Sequence, residues 1–72
     1  MDSLSSRLSD RIREYRVKAN LTQAQLAELI EESTNTISRW ETGFYLPRVP
    51  DLEKLAHALK VKLSDLLPED KK

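Results

Sequence analysis

The sequence predicts an all-α domain of five short helices. Three observations lead there. Apolar residues recur at helical spacing along the chain, and nothing alternates as a strand would. Glycine occurs once, at Gly43, and two of the three prolines fall together between Phe44 and Pro50, so breaks are few. Thr22 and Ser33 stand where N-caps would start two short helices, and Thr22-Gln23-Ala24-Gln25 reads as a capping box.

In the first helix Leu8, Ile12, Tyr15 and Ala19 form one apolar stripe. Ser5 or Ser6 is placed to cap it, and Asn20, which tolerates the left-handed conformation, to stop it. The second helix starts at Thr22 and buries Leu26, Ala27 and Ile30. Glu31-Glu32 interrupts the pattern, and Ser33 caps a third helix with Ile37 and Trp40 on its inner face and Gly43 at its end. Phe44 to Pro50 reads as an ordered loop. Pro50 then lies in the first turn of a fourth helix, where its missing N–H costs nothing, with Leu52, Leu55, Ala56 and Leu59 as its stripe. Leu63, Leu66 and Leu67 mark a short fifth helix stopped by Pro68. Residues 1–5 and 69–72 are expected to fray.

A chain of 72 residues holds one domain, and nothing in it reads as a linker or repeat. Without Cys, no disulfide or thiolate metal site holds the fold. No apolar run approaches a membrane span, and the N-terminus is too polar for a signal peptide, so a cytoplasmic protein is expected.

Twelve basic and twelve acidic residues balance, so net charge does not announce a nucleic-acid partner. The distribution is uneven. Up to Asn20, Arg7, Arg11, Arg13, Arg16 and Lys18 outnumber Asp2, Asp10 and Glu14. Leu21 to Ser33 carries only the acids Glu28, Glu31 and Glu32, whereas Thr34 to Pro50 sets Arg39 and Arg48 against Glu41 alone.

Two capped helices lie end to end between Thr22 and Glu41, and so short a connection makes them cross steeply. With Leu26, Ala27, Ile30, Ile37 and Trp40 inward, the second of the pair turns Thr34, Asn35, Ser38 and Arg39 outward. That face has a guanidinium, a carboxamide and two hydroxyls, with no acid and no bulky apolar group. Arg donates two hydrogen bonds to guanine, Asn pairs bidentately with adenine, and a Thr methyl meets a thymine methyl.

Thr22-Gln23-Ala24-Gln25-Leu26-Ala27 followed by Ser33-x-x-Thr36-Ile37-Ser38-Arg39-Trp40-Glu41-Thr42-Gly43 resembles the phage repressor/Cro-type (lambda repressor-like) helix-turn-helix DNA-binding family. Pro47, Leu52-x-x-Leu55-Ala56-x-x-Leu59 and Leu63-x-x-Leu66-Leu67 extend the resemblance over Leu8 to Leu67. It implies a compact five-helix fold, dimeric binding to two-fold-symmetric DNA, and transcriptional regulation, here expected to be repression. Position by position, it places Thr34, Asn35, Ser38 and Arg39 where the family reads bases. It places Gln23, Ser33, Thr42 and Arg16 at phosphate contacts, and pairs Arg16 with Glu41 in a salt bridge between the first and third helices.

Three positions depart from the family pattern. Glu31 and Lys60 stand where Gly is common, and Glu32 stands where an apolar residue is usual. A left-handed Glu31 would cost about 1 kcal/mol. Phe44, Tyr45, Leu46 and Val49 form an apolar loop with two readings. It is satellite core over the third and fourth helices, or a dimer interface shared with Leu66 of the fifth. Tyr45 could instead reach a phosphate. His57 falls off the leucine stripe as a surface residue, and with no second His or any Cys no metal site is expected. No nucleophile–base pair or glycine-rich phosphate loop is present, so neither catalysis, cofactor nor small-molecule ligand is expected. The partners expected are double-stranded DNA and a second copy of the chain. The competing reading is a protein-binding adaptor or antitoxin-like module, motivated by the neutral charge, the acidic turn and the apolar loop.

Overall fold

The computed structural model describes residues 4–67. Its helices are α1 (Leu4–Lys18), α2 (Gln23–Leu29), α3 (Thr34–Glu41), α4 (Val49–Leu59) and α5 (Leu63–Leu66), with no strand among the described residues. α3 packs on α1 and α2, while α5 packs on α4 and α1. The first helix therefore touches both halves and joins them. Arg11 reinforces this by donating from Nη1 to the Asp65 carbonyl at 2.7 Å.

Each helix contributes one large, fully buried side chain: Ile12, Leu26, Ile37, Leu55 and Leu66. Around them close Leu8, Ala27, Ile30, Trp40, Leu52, Ala56 and Leu59. Burying a side chain of this size is worth about 1.5–3 kcal/mol, so the leucine and isoleucine stripes supply most of the stabilisation. Tyr15 packs at the edge of this cluster, but Ala19 lies past the end of α1 and is exposed. The expected first stripe is thus one residue too long.

Helix starts follow ordinary capping chemistry. Asp51 and Asp65 accept the backbone N–H of Arg48 and Lys62 through Oδ2, both at 3.0 Å. Each carboxylate also faces the positive end of its helix dipole. Pro50 sits in the first turn of α4 as expected. α1 already includes Ser5 and Ser6, so neither precedes the helix as an N-cap must; their side chains lie outside the described residues. Of the tails expected to fray, residues 4 and 5 are helical, and 1–3 and 69–72 lie outside the described residues, as does Pro68. Leu67 is extended (φ −83°, ψ 128°), the conformation a residue before proline prefers.

Helices α1 to α4 all end the same way, in a left-handed residue flanked by a pair of reversed hydrogen bonds, the Schellman arrangement. At α1, Asn20 (φ 61°) donates to Val17 and Leu21 to Arg16. At α2, Glu31 (φ 59°) donates to Glu28 and Glu32 to Ala27. At α3, Gly43 (φ 79°) donates to Trp40 and Phe44 to Arg39. At α4, Lys60 (φ 60°) donates to His57 and Val61 to Ala56. Only one of the four is glycine, and the steric cost expected at Glu31 recurs at Lys60.

Candidate nucleic-acid interface

Short helices need their ends satisfied, and α2 and α3 have theirs. Gln25 N–H donates to Thr22 Oγ1 at 3.0 Å, and Thr22 N–H to Gln25 Oε1 at 2.8 Å, completing the capping box. Ser33 Oγ accepts the Thr36 N–H at 3.1 Å and lies 3.0 Å from Thr36 Oγ1. The Glu31 turn joins the two helices, and α3 packs against α2.

Ile37 and Trp40 anchor α3 in the core, joined by Glu41. The opposite side presents Thr34, Asn35 and Arg39 exposed, with Ser38 half-buried. Positions 34 and 38, and 35 and 39, are four apart, so the four side chains share one face. Thr42 continues it, exposed, with Oγ1 3.3 Å from the Arg39 carbonyl. The guanidinium of Arg39 lies over the Tyr45 ring, 5.7 Å from its centroid.

Behind this face Glu41 holds three donors. Arg16 donates from Nε to Oε2 at 2.6 Å and from Nη2 to Oε1 at 3.1 Å. Gln23 donates from Nε2 to Oε1 at 3.0 Å. The Glu41 side chain is 2% exposed and that of Arg16 13%. Arg16 Nη1 also donates to the Leu21 carbonyl at 2.7 Å. The pairing of Arg16 with Glu41 is as the sequence implied. Its guanidinium is committed inward with three bonds, leaving two of its five N–H donors. The bond from Gln23 was not foreseen, since eighteen residues separate it from Glu41 and no local pattern links them. It leaves one N–H of the carboxamide available at the start of α2.

The loop ends at Arg48, two residues earlier than expected, because Val49 and Pro50 already belong to α4. Phe44, Tyr45 and Leu46 of the loop and Val49 at the start of α4 are 70%, 56%, 49% and 61% exposed, so they are not satellite core. Pro47 alone turns inward there. Leu66 requires a correction. It is fully buried within the core, so its side chain is removed from the expected interface set. His57 is exposed as expected. Among the described residues no cluster of His, Cys, Asp or Glu could hold a metal, and no helix is long and apolar enough to cross a membrane.

The motif built by α2 and α3 is that of a helix-turn-helix regulator, and the family model described as "Helix-turn-helix" matches residues 12–66. The chain belongs to this Cro/C1-type family of DNA-binding transcription regulators. It is 33% identical over 60 residues to the cryptic phage CTXphi transcriptional repressor RstR of Vibrio cholerae, covering 83% of this chain and 54% of that protein. It is 39% identical over 62 residues to multiprotein-bridging factor 1b of Arabidopsis thaliana, covering 86% of this chain and 44% of that protein. The chain therefore spans about half the length of these curated relatives. The crystal structure of the hypothetical transcription factor NHTF from Neisseria superposes with a TM-score of 0.86 at 27% identity, over 92% of this chain and 76% of that one.

Proposed function

We propose that the domain is a sequence-specific double-stranded DNA-binding repressor, acting in the cytoplasm as a homodimer on a palindromic operator. The observation that carries this reading is the outer face of α3, where Thr34, Asn35, Ser38 and Arg39 stand together without an acid among them. In this reading those four contact base edges in the major groove. Gln23, Ser33, Thr42 and the two remaining donors of Arg16 contact phosphates and set register. The first N–H groups of α2 and α3 support the phosphate contacts. The exposed apolar patch of Phe44, Tyr45 and Leu46 in the loop and Val49 at the start of α4 supports a dimer interface, because it leaves apolar surface beside the reading face uncovered. Two-fold symmetry then places half-sites about one helical turn apart. The similarity to RstR supports repression.

A second reading rests on the same loop and on the similarity to a protein whose name describes bridging. In it the apolar surface docks a different protein and DNA is secondary.

Selection of bound duplexes from a random library tests the first reading. A two-fold-symmetric motif, bound with steep salt dependence, is the expected result. A single half-site would retire the homodimer. No enrichment at low salt from folded protein would favour the second reading.

A further inference from the structure

The contact between Arg39 and Tyr45 crosses the end of α3, and both partners are fastened to the same peptide. The Arg39 carbonyl accepts the N–H of Phe44 at 2.9 Å and of Tyr45 at 3.3 Å. The Tyr45 ring is braced by the edge of Phe44, with centroids 5.0 Å apart and planes at 67°. Over it lies the Arg39 guanidinium. An exposed arginine ordinarily samples many rotamers, and binding must freeze them. Among the described residues no carboxylate pairs with Arg39. A ring face takes none of its five N–H donors, whereas a carboxylate would take two of them.

We propose that Tyr45 is a positioning residue for base recognition: it holds the Arg39 guanidinium in place while leaving its donor fork open toward a guanine edge. This rests on the reading of α3 as the base-contacting helix. It divides the apolar loop by task. Tyr45 serves the groove, and Phe44, Leu46 and Val49 remain for the partner subunit. It also makes the Schellman turn at Gly43 part of the reading head, since that turn folds the ring back toward Arg39.

The test compares parent, Arg39→Ala, Tyr45→Leu and Tyr45→Phe in the same random-duplex selection. Proton NMR of the free proteins accompanies it. Tyr45 is more than half exposed, so its variants should fold. In the free parent, the Arg39 side-chain protons should be displaced by the ring current, a displacement lost in Tyr45→Leu and kept in Tyr45→Phe. In the selection, Tyr45→Leu should lose about 2- to 5-fold in preference at the one base pair that Arg39→Ala relaxes. Tyr45→Phe should restore that preference. A uniform loss of affinity across all positions would overturn the proposal, since that is the signature of weakened pairing of subunits or lost phosphate contact. A base preference in Tyr45→Leu equal to the parent's would overturn it while leaving the reading of α3 intact. Absence of any motif in the parent would overturn both.

Discussion

Gln23 and Arg16 share one acceptor, the Oε1 atom of Glu41, at 3.0 and 3.1 Å. Three helices therefore meet on a single carboxylate: α1 through Arg16, α2 through Gln23, and α3 through Glu41 itself. The carboxylate is withdrawn from water, and its charge is matched by the guanidinium. α3 is thus fixed to the rest of the domain by a polar bond at its C-terminal end and by Ile37 and Trp40 along its inner face.

Glu41→Ala should cost about 3 kcal/mol of stability. Removing one partner of a buried pair leaves the other charge uncompensated, and Arg16 keeps only slight access to water. A small domain has little to spare, so the variant should sit close to its unfolding midpoint at physiological temperature. Urea unfolding followed by far-UV circular dichroism checks this. A loss below about 1 kcal/mol would show that the pair behaves as an exposed one.

Glu31→Gly and Lys60→Gly should each stabilise the domain by roughly 1 kcal/mol. Both residues hold a left-handed conformation that disfavours a Cβ, and both complete Schellman pairs that glycine can form as well. In a domain of this size that corresponds to about 4–8 °C in Tm, readable by calorimetry. Gly43→Ala is the inverse substitution and should lower Tm by a similar amount. Unchanged melting in both glycine variants would mean that their backbone entropy in the unfolded chain cancels the relief.

Much of this was legible in the sequence, and the limit is physical. Helix faces follow from spacing, because a 3.6-residue period fixes which residues share a side; hence Leu26, Ile37 and Leu55 were placed correctly. Capping chemistry is local too, which is why Thr22, Ser33 and Asn20 were readable. Contacts between elements follow from no period. The Gln23–Glu41 bond and the Arg39–Tyr45 contact depend on how helices and a turn are set against each other. Leu66 was misplaced for a related reason: an apolar residue near a chain end fits a core and an interface equally until the packing of α5 is known. The roles proposed for the α3 face in reading DNA rest on side-chain type, which the sequence supplies, and on exposure, which the structure supplies.

Arg39→Ala should weaken binding to the preferred operator by about 1–3 kcal/mol and relax specificity at one base pair. The side chain is exposed, so its truncation should leave the fold intact. Electrophoretic mobility shifts on the operator and its single-base variants measure both effects. An evenly weakened profile across all variants would reassign Arg39 to a phosphate.

Phe44→Glu should separate the two uses of the exposed loop. Phe44 is 70% exposed, so a carboxylate there costs the monomer little. At a symmetric interface the substitution acts twice, since the same patch meets its own copy and like charges are brought together. Sedimentation equilibrium should therefore show a weaker dimer, and the operator should bind with a shallower concentration dependence. Affinity for an isolated half-site should fall far less than affinity for the whole operator, with any loss confined to the base pair proposed for Arg39, because Phe44 also braces the Tyr45 ring under that guanidinium. If the variant instead dimerises as the parent does, the loop is free for a different protein. Capture of such a partner should then be lost in the same variant.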